Sequence, residues 1–268
     1  MKLPSALKRE FKEKLNRNVG RFGSLLLCTD FDGTLVNFTG TPSETSLPSE
    51  TEELLTDLAH SPRLHLAIIS GRSFHELTEL VPLENATLAG NHGLKMRFED
   101  GTGHELDTGE EIHRAISAMK NSFRETVGGK DGIIIEDKSF GLALHYRQYK
   151  GDKEAIIEEF SKTWDEHSIP ELEVIEGAEL LEVRPGNWNK GDAVKLLQEK
   201  WGKGIPTIYL GDDTTDEDAF MVLRDGDNGM PVIVSEQEDV QTKAQYRLRN
   251  PKEVAKLLRE LREIFNGA

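Results

Sequence analysis

Three short apolar runs in this chain stop at small polar clusters, and each leads straight into a helix. The first, Leu25-Leu-Leu-Cys28-Thr29, ends at Asp30-Phe31-Asp32-Gly33-Thr34. The second, Leu64 to Ile69, ends at Ser70-Gly71-Arg72, and Ser73 with Glu76 supplies capping-box spacing directly behind it. The third, Pro206 to Leu210, ends at Gly211-Asp212-Asp213, with a helix predicted from Thr214 to Leu223. Apolar runs of this length, bounded by turn residues, suit strands buried on both faces. Strands that alternate with helices imply the α/β class and a doubly wound, Rossmann-like parallel sheet. Ligands of such sheets bind beyond the carboxyl ends of the strands, which is where all three polar clusters fall.

Between about 105 and 184 the rhythm changes. A helical stretch (110–126) precedes two strands (132–136 and 141–149). A second helix (153–166) precedes two more strands (172–175 and 179–183), hinged at Glu176-Gly177. This order predicts an α+β insert with a four-stranded antiparallel sheet and two helices on one face. The domains expected are therefore a first core part over 1–104, an inserted domain over 105–184 and a second core part over 185–268. Strand alternation pairs His145 with Arg147, Glu182 with Arg184, and Glu136 with Lys138, each pair on one polar face. A solvated face accounts for such charges without any function. An insert beside a strand-end site more often closes it, which makes these residues candidates for ligand recognition.

Composition narrows the function. The formal net charge of −15 argues against nucleic-acid binding. No apolar stretch is long enough to span a membrane, and the first residues lack a signal-peptide core, so a cytoplasmic protein is expected. The single cysteine, Cys28, lies inside an apolar run and reads as a packing residue. Leu3, Leu7, Phe11, Leu15 and Val19 lay an apolar stripe along a basic first helix, which is expected to pack on its own domain. Ser49 and Glu52 predict a capped helix that ends near Ser61-Pro62. Asn250-Pro251 predicts the N-cap and first residue of a final amphipathic helix.

Asp30 and Asp32, two residues apart on an extended strand, point to the same side. With Asp212 they offer hard oxygen ligands, which suit magnesium rather than zinc or copper. Lys190 stands at the entrance of a helix, an unfavourable place for a cation unless it faces an anion. Ser70, Lys190 and the amides around Gly71 could hold phosphate oxygens. A metal-assisted carboxylate site of this kind fits phosphoryl transfer, which needs mainly positioning and charge neutralisation. One carboxylate could attack phosphorus while the other handles protons, and no histidine is required.

The ordered set Asp30-Phe-Asp32-Gly-Thr34, Ser70-Gly-Arg72, Lys190-Gly191 and Gly211-Asp-Asp213-x-x-Asp216 resembles the four motifs of haloacid dehalogenase-type phosphatases. Within that superfamily the chain resembles the trehalose-6-phosphate phosphatases. The carrying residues are Gly90-Asn91-His92-Gly93, His145-Tyr-Arg147, Leu181-Glu182-Val-Arg184-Pro185 and the run from Gly211 to Phe220. The resemblance implies a magnesium-dependent hydrolysis of trehalose 6-phosphate through an aspartyl-phosphate, with Asp30 as nucleophile and Asp32 as general acid/base. It implies a magnesium site of Asp30, Asp212 and the Asp32 carbonyl, supported by Asp213 and Asp216. Thr34, Ser70, Gly71 and Lys190 would hold the phosphoryl group. Arg72, Asn91, His92 and the insert residues Lys138, His145, Arg147, Glu182 and Arg184 would bind the sugar phosphate, the insert acting as a lid. A trehalose-phosphate synthase is a candidate partner, and a monomer is expected. Two departures, Ala178 and Lys95, fall in sugar-reading regions and keep mannosyl- or glucosyl-3-phosphoglycerate as alternative substrates. A non-catalytic sugar-phosphate sensor is the reading from another class.

Overall fold

A computed structural model describes residues 3–37, 45–177 and 179–266, so Ala178 and most of the loop after Val36 lie outside the described residues. Two compact units are present, one of residues 1–105 and 189–268 and one of residues 106–188.

In the core unit the elements in chain order are α1 (Arg9–Phe22), β1 (Leu25–Thr29), α2 (Ser49–Ala59), β2 (Leu64–Ile69), α3 (Phe74–Leu80), β3 (Thr87–Gly90), β4 (Lys95–Arg97) and β5 (Gly103–Glu105). The insert follows with α4 (Gly109–Thr126), β6 (Ile134–Asp137), β7 (Leu142–His145), α5 (Lys153–His167), β8 (Leu172–Gly177) and β9 (Leu180–Pro185). The chain returns to the core with α6 (Lys190–Trp201), β10 (Thr207–Gly211), α7 (Glu217–Arg224), β11 (Gly229–Val234), β12 (Tyr246–Leu248) and α8 (Pro251–Asn266).

The core sheet runs β12-β11-β10-β1-β2-β3-β4-β5. Pairing is parallel from β12 through β3, and β4 and β5 add an antiparallel edge. All five residues of β1 are buried. Leu25 and Leu27 join one cluster with Phe11 and Leu15 of α1, Leu54 and Leu58 of α2, and Leu257 and Leu258 of α8. Leu26 and Cys28 alternate to the other side, where α6 runs against β1 and β2. Each buried leucine contributes roughly 1.5–3 kcal/mol of hydrophobic free energy, which is why this central strand tolerates no polar residue until its end. Burial pushes the Cys28 thiol well above its ordinary pKa, in keeping with a packing role.

Sequence β1 is flanked by β10, from late in the chain, and by β2, the next strand along. The strand order therefore reverses at β1, and crevices for ligands open at such a switch point. The register sets Thr29 opposite Leu210 on one side and Ile68 on the other, so the residues after all three strands emerge together.

The insert is the α+β unit expected from sequence, with sheet order β6-β7-β9-β8 and antiparallel pairing throughout. Leu142, Leu144, Leu181 and Val183 pack under Ile116, Met119 and Phe123 of α4 and Ile156 and Phe160 of α5. Phe123 and Phe160 stack with centroids 5.4 Å apart. Alternate residues of the same strands face the other way.

Several local expectations shift. The helix α2 starts at Ser49 with Pro48 as its cap residue, so Ser49 lies one position inside the helix and proline offers no side-chain acceptor for a cap bond. Ser73 does cap α3, accepting from the Glu76 amide at 3.3 Å. The helix α1 begins at Arg9, so Leu3 and Leu7 of the predicted stripe precede it. Ser5 instead makes a parallel bridge to Arg247 beside β12, drawing that approach segment onto the sheet edge. The stretch 214–223 divides into a 3₁₀ turn at Thr214–Asp216 and the helix α7. Strand β7 stops at His145, so Arg147 falls in the following turn and leaves the alternation that paired it with His145.

Candidate active site

At the end of β1 the Asp30 amide donates to the Leu210 carbonyl at 2.8 Å, tying the first acidic cluster to the third. Gly33 follows with φ of 75°, in the left-handed region. A Cβ there would come within 1.9 Å of Asp212 Oδ2, so only glycine lets the two acidic loops meet. Thr34 Oγ1 donates to Asp212 Oδ1 at 3.3 Å across the same junction.

Lys190 is the first residue of α6. Asn189 caps that helix, accepting from the amides of Gly191 and Asp192, while the Asp192 carboxylate accepts from the Asn189 amide. The Lys190 side chain is buried and donates to Asp30 Oδ1 at 2.8 Å and to Asp216 Oδ1 at 2.7 Å. The anion that its helix position demanded is therefore present, and there are two. Burial works against the ammonium, yet Asp216 and Asp30 together raise its pKa and keep it charged.

Asp216 is fully buried and saturated. Its Oδ2 accepts the amides of Asp212 and Asp213 at 3.0 Å each, and its Oδ1 accepts Lys190 and the Tyr209 hydroxyl, the latter at 2.7 Å. Asp213 is exposed, and its carboxylate caps the 3₁₀ turn through the Thr214 amide.

The carboxylates of Asp30, Asp212 and Asp216 offer oxygens within 4.8 Å of one another. Burial, then the Asp216 charge, pushes Asp212 up to about 7. Burial raises Asp30 well above the usual carboxylate range, with Asp216 and Asp212 adding to the rise and Lys190 opposing it. One ammonium among three carboxylates leaves excess negative charge, which a hard divalent cation would relieve. The donors are oxygen only and few, as magnesium requires, so these residues fit that ion.

Asp32 has a different partner. Arg72 grips its carboxylate side-on, Nε to Oδ2 at 2.7 Å and Nη2 to Oδ1 at 2.8 Å, and its Nη1 reaches Glu76 at 2.8 Å. The guanidinium lies over the Phe31 ring at 5.6 Å. Ser70 Oγ accepts the Arg72 amide at 3.2 Å, which turns the β2 end into a compact loop.

Asn91, His92 and Gly93 follow β3 with three successive positive φ angles of 52°, 57° and 95°. Such backbone in non-glycine residues costs on the order of 1–3 kcal/mol each and persists only where neighbours hold it. Here the Asn91 amide donates to the Arg72 carbonyl at 2.7 Å, the His92 amide to the Ser70 carbonyl at 2.9 Å, and Asn91 Oδ1 accepts the first amide of α3. The His92 ring packs beside Gly71, where a Cβ would lie 2.8 Å from its Cε1. The turn thus braces the Ser70-Gly71-Arg72 loop from behind.

The core unit therefore gathers Asp30, Asp32, Thr34, Ser70, Gly71, Arg72, Asn91, His92, Lys190, Asp212, Asp213 and Asp216 at adjoining strand ends. Within the insert, Lys138 pairs with Glu182 at 2.7 Å, His145 with Glu136 at 2.8 Å and Arg184 with Glu173 at 2.8 Å. The register sets Glu182 opposite Ala143 and Arg184 opposite Glu173 on the sheet face away from the helices. Lys95, one of the two departures, pairs with Glu105 across the β4–β5 hairpin at 2.7 Å. Three site residues, Asn189, Asp192 and Tyr209, escaped the sequence reading. The Asn189-x-x-Asp192 spacing is a legible capping box. Tyr209 carried no signal, being one apolar-looking residue in a buried strand.

A model of the Trehalose-phosphatase family matches residues 28–252. A trehalose-phosphate phosphatase of Mycobacterium tuberculosis is 34% identical over 245 residues, covering 87% of this chain and 61% of the relative. This chain thus spans about three fifths of the length of that curated relative. Among solved structures, the C-terminal domain of the Candida albicans trehalose-6-phosphate phosphatase is similar with a TM-score of 0.80 at 25% identity, covering 97% of this chain and 98% of that one. The Aspergillus fumigatus trehalose-6-phosphate phosphatase gives a TM-score of 0.69 at 27% identity, covering 98% of this chain and 99% of that one. With the matched region running from the first acidic strand end to the start of the last helix, the chain belongs to the trehalose-phosphatase family.

Proposed function

We propose that this protein hydrolyses trehalose 6-phosphate to trehalose and inorganic phosphate. The observation that carries the reading is the buried Lys190 ammonium bridging Asp30 and Asp216 beside Asp212, a cluster suited to a phosphoryl anion with a divalent cation. Asp30 attacks phosphorus as the bond to the sugar oxygen breaks, and Asp32 delivers a proton to that leaving oxygen. Water then attacks the aspartyl-phosphate and gives a proton to Asp32, which releases phosphate and restores Asp30. Lys190, Ser70, Thr34 and the Gly71 amide hold the phosphoryl oxygens through both steps. Asp30 and Asp212, with the Asp32 carbonyl, would hold magnesium, and Asp213 and Asp216 brace that loop. The ion supplies charge neutralisation at the transferring group.

The side-on Arg72 pair holds Asp32 in one orientation, and that is the role we assign to Arg72 in the core. Sugar selection falls to Asn91 and His92 and to the insert residues Lys138, His145, Arg147, Glu182 and Arg184. A small sugar phosphate and a magnesium ion are the ligands this requires. No helix among the described residues is long and apolar enough to cross a membrane.

The test is a phosphate-release panel over trehalose 6-phosphate, other hexose phosphates and glycosyl-3-phosphoglycerates, run with magnesium and again with a chelator. Turnover should be highest with trehalose 6-phosphate and should vanish on chelation and return with added magnesium. Faster release from a glycosyl phosphoglycerate would replace the substrate. Tight binding of trehalose 6-phosphate with no release from any compound would make the protein a sensor.

A further inference from the structure

Tyr209 lies on β10, two residues before the acidic loop, and its side chain is fully buried. Its ring packs edge-on against Phe220 of α7 with centroids 5.7 Å apart. Its hydroxyl has a definite partner, donating to Asp216 Oδ1 at 2.7 Å. That oxygen also receives Lys190, and Lys190 in turn reaches Asp30. A continuous line of hydrogen bonds thus runs from Tyr209 through Asp216 and Lys190 to Asp30.

The placement of Asp216 leaves little slack. Its carboxylate sits against Gly211, where a Cβ would come within 2.3 Å of the carboxyl carbon. Two amides hold Oδ2, so the hydroxyl and the ammonium divide Oδ1 between them. Burial, then the nearby Asp216 and Asp30 charges, raises the Tyr209 pKa well above its ordinary value, so the hydroxyl keeps its proton and remains a donor.

We infer that Tyr209 is a positioning residue that sets how Lys190 is shared between Asp216 and the phosphoryl site. A carboxylate oxygen that already accepts a hydroxyl attracts the ammonium less than one that does not. Without the hydroxyl, Lys190 is the one side-chain donor to Asp216 Oδ1 among the described residues and is drawn toward it, away from Asp30 and the phosphoryl oxygens. In a buried site of low dielectric a small displacement of the charge changes its interaction with an anion substantially. This rests on the proposed role of Lys190 in holding the phosphoryl group.

The experiment compares wild type, Tyr209→Phe and Phe220→Leu, each with magnesium chloride. Inorganic phosphate affinity is measured by calorimetry, kcat and KM with an aryl phosphate, and melting temperature by circular dichroism. Tyr209→Phe removes one oxygen and adds no bulk. It should bind phosphate about tenfold more weakly and lose a similar factor in kcat/KM, the scale of one buried charge-assisted hydrogen bond. Phe220→Leu loosens the same pocket and keeps the hydroxyl. It should lower the melting temperature at least as much while leaving phosphate affinity unchanged. If Tyr209→Phe matches wild type in phosphate affinity and kcat/KM, whatever its melting temperature, the hydroxyl is only a structural bond and the inference falls alone. If phosphate affinity falls in step with melting temperature in both variants, packing explains the loss and the inference also falls. A wild type that neither binds phosphate nor releases it overturns the phosphatase reading, and the positioning role goes with it.

Discussion

The two units of this chain handle buried charge differently. At the core strand ends, the carboxylates of Asp30, Asp212 and Asp216 cluster, and one lysine bonds Asp30 and Asp216, so the cluster carries more negative charge than it neutralises internally. On the polar face of the insert sheet, Glu182, Glu136 and Glu173 each have a basic side chain against them, Lys138, His145 and Arg184. The core cluster is also held by backbone: two amides fix Asp216, a helix cap fixes Lys190, and a glycine fixes the approach of Asp212. The insert pairs are bonds between one side chain and another. A site with unbalanced charge on a rigid frame suits chemistry on an anion. A balanced set of pairs on a sheet suits the choice among neutral, hydroxyl-rich groups.

The largest expected effect tests the core side of this contrast. Asp30→Asn removes the carboxylate proposed as the nucleophile and one negative charge, so phosphate release should fall by about a thousandfold or more with a melting temperature equal to or above wild type. A stability loss with activity retained would mean that the unbalanced charge is structural. The middle-sized effect belongs to the insert. Glu182→Gln breaks a buried pair, should cost about 2 kcal/mol in urea unfolding, and should lower kcat/KM for trehalose 6-phosphate about thirtyfold with aryl phosphate hydrolysis within about threefold of wild type. Equal losses on both substrates would remove the division of labour. The smallest effect concerns Glu173, which is half-exposed beside Arg184. Glu173→Gln should cost about 1 kcal/mol, less than Glu182→Gln, because solvent screens the half-exposed carboxylate although Arg184 itself is buried. A loss comparable to that of Glu182→Gln would show that burial does not grade these pairs.

Much of the core was legible because it depends on short-range rules. Leu25 to Cys28 had to be a buried strand, since alternation and burial act within a few residues, whereas the expected common side of Asp30 and Asp32 assumed an extended backbone that ends at Thr29. The insert could be read from its own change of rhythm, and its helix-facing residues from alternation. Where alternation was extended too far, as at Arg147, a turn ended the strand first. The β4–β5 edge and the strand β12 were not read, because three-residue strands carry too little pattern, and the six-residue β11 was not read, because Pro231 interrupts its apolar run.

From sequence alone came the inventory: which carboxylates, which lysine and which serine stand at strand or helix ends, together with the family they resemble. Only the tertiary structure decided who holds whom. Asp32 belongs to Arg72, Asp216 serves four donors at once, and Tyr209 reaches the same oxygen as Lys190. These partners are separated by up to dozens of residues: Arg72 meets Asp32 because β2 pairs with β1, and Lys190 reaches Asp216 from the start of α6. Local periodicity fixes the direction of a side chain along its own element. The neighbour it finds depends on how distant elements pack.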